Sequence, residues 1–300
     1  MKDGPAICGV LNLDKPAGVT SRDVVDLVSR PLRRVKVGHA GTLDPLATGV
    51  LVVCVGPATR LIEHVQRMPK AYRAVVRLGA TSDTLDADGR VEARPDPPIP
   101  TEPEVRAALS RQVGTIAQVP PQHSALKVAG RRAYDLARAG QAVDLAPRPV
   151  EVYRIELIAY AWPRLEITVD CGSGTYIRSI ARDVGEALGC GGLIEVLART
   201  RIGPFHLTEA LDPTGLPIDA ILARLRPAVD ALGDLARLEI SAGQVAAVLQ
   251  GRTLPVAEVE GSRGSLGEVA LIGPGGALVA LAEVLSGGTI QPRRVFAGEG

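Results

Sequence analysis

Gly38-His39-Ala40-Gly41-Thr42-Leu43-Asp44-Pro45-Leu46-Ala47-Thr48-Gly49 runs directly into Val50-Leu51-Val52-Val53-Cys54-Val55. The first part holds three glycines, two threonines, a proline and one carboxylate, with His39 five residues before Asp44. The second part is a short apolar run of the kind that makes a fully buried strand. The pattern therefore sets one carboxylate on a tight polar loop against a rigid strand, which is how functional side chains are often presented. Spacing alone also fits an ordinary turn, in which Asp44 bonds nearby backbone amides ahead of Pro45.

Working outward, residues 8–13 read as a strand, followed by a Lys-Pro-x-Gly turn. Thr20 or Ser21 is placed to cap a helix over Asp23 to Arg30. Ala58 to Arg67 reads as a helix, and Tyr72 to Leu78 alternates as a half-buried strand should. A proline-rich loop leads to a helix over Glu102 to Gln112. Residues 115–150 mix Pro, Gly and Arg, with one short helix around Arg132 to Ala139. Val152 to Tyr160 and Leu165 to Cys171 read as strands, and Ile177 to Leu188 as an amphipathic helix. A boundary falls near Pro213 to Leu232, with a helix at Ile218 to Leu225. Beyond it lie Leu238 to Ser241, a helix at Ala242 to Gln250, and apolar runs at 269–272, 277–282 and 289–296. The Gly273-Pro274-Gly275-Gly276 turn joins the first two of those runs. Strands dominate with helices between them, so the expected class is α+β with a mixed, mainly antiparallel sheet flanked by helices.

Three hundred residues allow one large domain or two, and enough chain to bury a sizeable core. No apolar run approaches the roughly 18 residues of a membrane span, and Met1 to Pro5 lacks the apolar core of a signal peptide. A cytoplasmic enzyme is the default expectation. Cys8, Cys54, Cys171 and Cys190 are widely spaced, with no C-x-x-C pair, so neither a metal nor a cofactor is expected. Net charge is only +1, yet it is unevenly spread. Residues 1–80 carry twelve Lys/Arg against six Asp/Glu, and residues 203–300 carry seven against eleven. The basic excess lies with the motif loop, where a polyanion could be held.

The loop around Asp44 resembles the G-H-x-G-x-L-D-P-x-A-x-G motif of the TruB family of pseudouridine synthases. Gly9 to Ser21 is similar to that family's G-x-L-x-x-x-K-P-x-G-x-[TS]-S signature. Lys70-Ala71-Tyr72, Leu78-Gly79 and Thr81 to Gly89 resemble its K-x-Y and L-G-x-x-T-D-T-x-D-x-x-G region. Pro120 to Lys127, then Gly130 and Tyr134, resemble its P-x-x-S-A-x-K block. Cys171 to Arg178 matches G-T-Y-I-R, and Leu197 to Phe205 matches L-R-R-T-x-x-G-P-F. Six pieces in order over residues 9 to 205 carry the resemblance. Ala40, Leu193 and Ala198 depart from it, standing where Thr, His and Arg are common; the last departure bears on tightness of RNA binding.

The resemblance implies a pseudouridine synthase fold over residues 1–232, with an RNA-gripping insertion at about 115–150. It also implies a small C-terminal β-barrel over 236–300, similar to a PUA domain. It implies isomerisation of uridine to pseudouridine at position 55 in the T-arm loop of tRNA, by base flipping. Asp44 would be the nucleophile or base, Arg178 its partner and Tyr72 the residue against the target base. Leu197 would line the base pocket. His39, Lys15, Lys127, Arg131, Arg132 and Tyr176 would contact substrate, and Lys15, with Asp14 and Asp23, also reads as structural or backbone-contacting. The expected partner is the tRNA stem-loop, with no membrane, no obligatory protein partner and a monomeric chain. Two alternatives stay open: the catalytic subunit of a guide-RNA-dependent particle, and a tRNA-folding chaperone.

Overall fold

In the computed structural model, residues 7–123, 127–128, 131–132, 145–261 and 267–296 are described. The chain runs β1 (Gly9–Lys15), α1 (Ser21–Leu32), β2 (Val37–His39), β3 (Thr48–Val55), a 3₁₀ turn (Gly56–Leu61), α2 (Ile62–Arg67) and β4 (Lys70–Leu78). It continues through β5 (Ala80–Ser82), β6 (Val91–Ala93), α3 (Glu102–Ser110), β7 (Gly114–Gln118), β8 (Lys127–Val128) and β9 (Arg131–Arg132). Next come β10 (Arg148–Ala161), β11 (Arg164–Cys171), α4 (Ile177–Ala187), β12 (Gly192–Ile202), β13 (Phe205–His206) and α5 (Ile218–Ala223). The last elements are β14 (Arg237–Glu239), α6 (Ala242–Leu249), β15 (Leu254–Pro255), β16 (Gly267–Ile272), β17 (Leu278–Leu285) and β18 (Thr289–Val295).

The main sheet has the order β1-β3-β12-β4-β11-β10-β7, with β2 paired to β3 and β13 to β12. Only the β3–β12 contact is parallel, so the sheet is mixed and mainly antiparallel, as expected. Strand β3 is continuously apolar because both its faces are covered. Leu51, Val53 and Val55 pack with Val24, Val25 and Val28 of α1. Val50, Val52 and Cys54 pack with Ala58, Leu61 and Val65. A third cluster joins β4 and β11 to α3 and α4 through Val76, Ile167, Val105 and Ile180.

Thr20 rather than Ser21 caps α1. Its hydroxyl accepts from the Asp23 N–H, while Asp23 accepts from the Thr20 N–H at 2.8 Å. That division leaves the Ser21 hydroxyl free to bond the motif loop. The helix read over 58–67 is instead a 3₁₀ turn opened by Pro57 and then a short α-helix. Strand β12 has no counterpart in the reading from sequence, nor does β7, which fell within the loop-rich 115–150 stretch. The helix expected around Arg132 to Ala139 lies outside the described residues, apart from Arg132 itself in β9.

The C-terminal strands form a second sheet in the order β14-β16-β17-β18-β15. Among the described residues its end strands do not pair with each other, so it is a half-barrel rather than the closed barrel expected. It shares a core with the first part of the chain: Ala270, Leu281 and Phe296 pack with Ala58, Leu61 and Val65. Arg60 seals this contact, stacking 4.5 Å from the Phe296 ring centroid and donating to the Val295 carbonyl at 2.8 Å.

Two substitutions test this packing. Gly49 has φ +99°, and a Cβ there would lie 2.3 Å from the Arg199 carbonyl oxygen. Gly49→Ala is expected to cost at least about 2 kcal/mol in chemical denaturation. Phe296→Ala is expected to cost about 3–5 kcal/mol, since the ring is 3% exposed and covers the shared core.

Candidate functional site

The motif loop between β2 and β3 is held from three directions. From behind, the Ser21 hydroxyl accepts the Leu43 N–H at 2.8 Å and donates to its carbonyl at 3.1 Å. The Gly18 N–H donates to the Pro45 carbonyl at 2.8 Å. Lys15, wholly buried, donates to the carbonyls of Pro16, Val19 and Pro45 at 2.8, 2.7 and 3.3 Å. From the neighbouring strand, Arg199 donates to the Gly41 carbonyl at 3.2 Å and the Val50 carbonyl at 2.8 Å. Within the loop, the Ala47 N–H returns to the Asp44 carbonyl at 3.1 Å. Few of the loop's backbone groups are left to move.

This anchoring turns Asp44 into a cleft of about 350 Å³. Tyr72 of β4, Arg178 of α4, Leu197 of β12 and Tyr176 also line it. Arg178 is 5% exposed, and its Nη2 lies 3.0 Å from Asp44 Oδ2. The same guanidinium reaches Asp86 Oδ2 at 3.2 Å and donates to the carbonyls of Thr84 and His123 at 2.8 and 2.9 Å. Asp86 is 4% exposed and also accepts from the Thr84 hydroxyl and the Asp88 N–H. Its neighbour Leu85 sits at φ +63°, a costly conformation for a branched side chain. One arginine thus bridges two carboxylates, a polar cluster satisfied on nearly every side.

The arginine is aimed by its own helix start. Gln118 accepts the Tyr176 N–H at 2.8 Å and donates to the Tyr176 carbonyl at 3.1 Å. That clamp fixes the residue before α4, and Arg178 is the second residue of the helix.

The charges oppose one another. Burial pushes the Asp44 carboxyl above its ordinary value, while Arg178 pulls it down and Asp86 pushes it up again. Its side chain keeps 37% exposure through the mouth of the cleft, so a ligand has access to it. Lys15 is driven down to about 8 by burial, against the pull of Asp44. Burial raises the Tyr72 phenol, and the Arg199 guanidinium beside it works the other way.

Of the residues picked from sequence, Asp44, Arg178, Tyr72, Leu197 and Tyr176 come together in this cleft. Lys15 does not. It was expected to touch substrate, but it lies inside with its donors spent on three carbonyls, so it braces the loop. His39 is half-buried on β2 and is not among the cleft-lining residues. The backbones of Lys127 and Arg131–Arg132 form the small β8–β9 ladder. Two further residues belong to the site and were not picked. Asp86 sat in view within the Thr81 to Gly89 motif, and Arg199 within Leu197 to Phe205. The signal for both was a charged residue inside an otherwise structural motif.

The matching family model is described as TruB family pseudouridylate synthase (N terminal domain) and covers residues 29–177. A protein of Aromatoleum aromaticum named tRNA pseudouridine synthase B is 44% identical, over 96% of this chain and 92% of its own. A protein of the same name from Thermobifida fusca is 44% identical, over 97% and 99%. Among solved structures, a Cbf5-Nop10-Gar1 complex matches with a TM-score of 0.74 at 27% identity, over 97% of this chain and 85% of that one. An H/ACA RNP bound to a substrate RNA containing 2'-deoxyuridine matches with a TM-score of 0.72 at 27% identity, over 96% and 84%.

Removing the bridge should be visible in two measurements. In Arg178→Met the Asp44 carboxyl should titrate at higher pH than in the unsubstituted protein, read by NMR of labelled aspartate, because a favourable charge is lost. The same substitution strands Asp86 as a buried charge and should cost about 3–5 kcal/mol of stability.

Proposed function

Because this chain belongs to the TruB family of pseudouridylate synthases, we propose that it isomerises uridine to pseudouridine in tRNA, at position 55 of the T-arm loop. The observation that carries this reading is the Asp44–Arg178 pair at 3.0 Å, set in a cleft that Tyr72 and Leu197 also line. A base reaches so recessed a carboxylate only after leaving its stack, at a cost of a few kcal/mol.

The reaction breaks the N1–C1′ bond of uridine and joins C5 to C1′. The proton on C5 leaves, and N1 gains one, so atoms balance within the substrate. Asp44 opens the sequence as a nucleophile or as a base, and in either role it must be ionised. Arg178 favours that form and orients it. Tyr72 and Leu197 bound the flipped ring, one with an aromatic face and one with an apolar wall. Tyr176 and His39 meet the nucleotides around the target. Lys127, Arg131 and Arg132 meet phosphates, which fixes position without reading sequence.

We assign residues 1–232 to the catalytic part, with an RNA-gripping insertion near 115–150. Residues 236–300 form a PUA-like part that adds RNA affinity. The chain acts as a monomer, without a protein partner or a cofactor. The guide-dependent alternative has less support: the relatives named as tRNA enzymes are 44% identical, against 27% for the complex-bound proteins. Among the described residues, no helix is long and apolar enough to cross a membrane.

Purified protein incubated alone with unmodified tRNA should yield pseudouridine at the T-loop uridine. A requirement for added guide RNA would overturn the assignment. Asp44→Asn should still bind tRNA while its rate falls on the order of 10⁴-fold or more. Since burial holds the Asp44 carboxyl above its ordinary 3.8 in the free protein, activity should decline as pH falls through that raised value, placing the acid limb of kcat/KM above 3.8.

A further inference from the structure

We infer that Arg199 is a positioning residue that ties the Asp44 loop to Tyr72, so that one buried guanidinium sets the separation of the two groups facing the flipped base. The inference rests on the reading of this cleft as a pseudouridylate synthase site. It begins from strand order. Strand β12 lies between β3, which follows the Asp44 loop, and β4, which carries Tyr72. Arg199 is registered with Gly49 on the first and with Tyr72 on the second. Cross-strand partners lie about 5 Å apart, within reach of a long side chain.

The side chain is built for this place. Arg199 is 2% exposed, so water does not satisfy it. Among the described residues it has no ion pair with a carboxylate. Its Nε donates to the Val50 carbonyl at 2.8 Å, Nη2 to Gly41 at 3.2 Å and Nη1 to Thr42 at 3.5 Å. These carbonyls come from both ends of the loop, and Tyr72, the cross-strand partner of Arg199, lines the same cleft. Gly49 makes the approach possible, since any Cβ there would strike the Arg199 backbone. Lysine would keep the charge but not the planar fork that reaches both ends of the loop at once beside Tyr72.

The test compares the unsubstituted protein, Arg199→Lys, Arg199→Gln, Tyr72→Phe and the Arg199→Lys/Tyr72→Phe double variant. Each is assayed for single-turnover pseudouridine formation under saturating enzyme, for tRNA affinity, for thermal stability and for its pH–rate profile. Arg199→Lys should lose about 10–100-fold in rate, as misplacement by about an ångström does. Its tRNA affinity should stay within about threefold, and the basic limb of its pH–rate profile should move. The double variant should be no slower than the slower single variant, because the effect passes through the same phenol. Wild-type rate in Arg199→Lys overturns the inference. So do an unmoved pH profile, losses that multiply in the double variant, and a rate loss matched by lost affinity. Loss of folding in both Arg199→Lys and Arg199→Gln also overturns it, since Arg199 would then be a core residue alone. An unsubstituted protein that makes no pseudouridine would instead sink the functional reading on which this one rests.

Discussion

A guanidinium cannot be withdrawn from water unless its donors are met, and Arg178 meets its own with two carboxylates and two carbonyls. Those partners come from three stretches of chain besides α4 itself. Asp44 arrives on the loop before β3, Asp86 and Thr84 on the turn between β5 and β6, and His123 after β7. Satisfying one side chain therefore fixes where four segments meet. The cost of leaving any of them out is a stranded buried charge. Of the two carboxylates, Asp86 is buried while Asp44 keeps access to the cleft, which is why the arrangement suits chemistry as well as stability.

A second guanidinium does the complementary work on the other side of the loop. Arg199 binds carbonyls before and after Asp44, while Lys15 and Ser21 brace the loop from the β1–α1 side. The carboxylate is rigid because its backbone is held on both sides, and its electrostatics are tuned because burial and cations pull against each other. The C-terminal half-barrel is not a loose appendage either. Its Phe296 and Leu281 close over the same residues that cover the back of β3. Any affinity it adds for RNA is thus mechanically continuous with the strand that follows the site.

Much of this was legible in the sequence, for identifiable reasons. The apolar run 50–55 announced β3 because both of its faces are buried. Thr20 and Ser21 announced the start of α1, and the structure chose between them through the Thr20–Asp23 capping box. Asp44 stood out as a lone carboxylate among turn-forming residues. Strand β12 was not legible, although it is central. Register shifts at Ile194/Val196 and Arg199/Arg201 break its period of two, and it buries an arginine where the pattern asks for an apolar residue. Strand β7 was hidden for the opposite reason: it is an edge strand with little burial, so few positions are constrained. Lys15 misled because a lysine beside a functional loop looks like a substrate contact until its burial is seen.

The amino-acid order by itself determined several local pieces: the strands around 9–15, 50–55 and 72–78, a helix beginning just after Thr20, and that Asp44 rides a constrained turn. It also carried the family resemblance, since motif residues keep their order along the chain. The tertiary structure alone decided that Arg178 serves two carboxylates, that Arg199 stands between Gly49 and Tyr72, and that Lys15 faces inward. Those facts depend on which strands lie side by side and on which donors are shut off from water. Neither is a property of neighbours in sequence: sheet order is settled by long-range pairing, and the energy of a charge is settled by what surrounds it after folding.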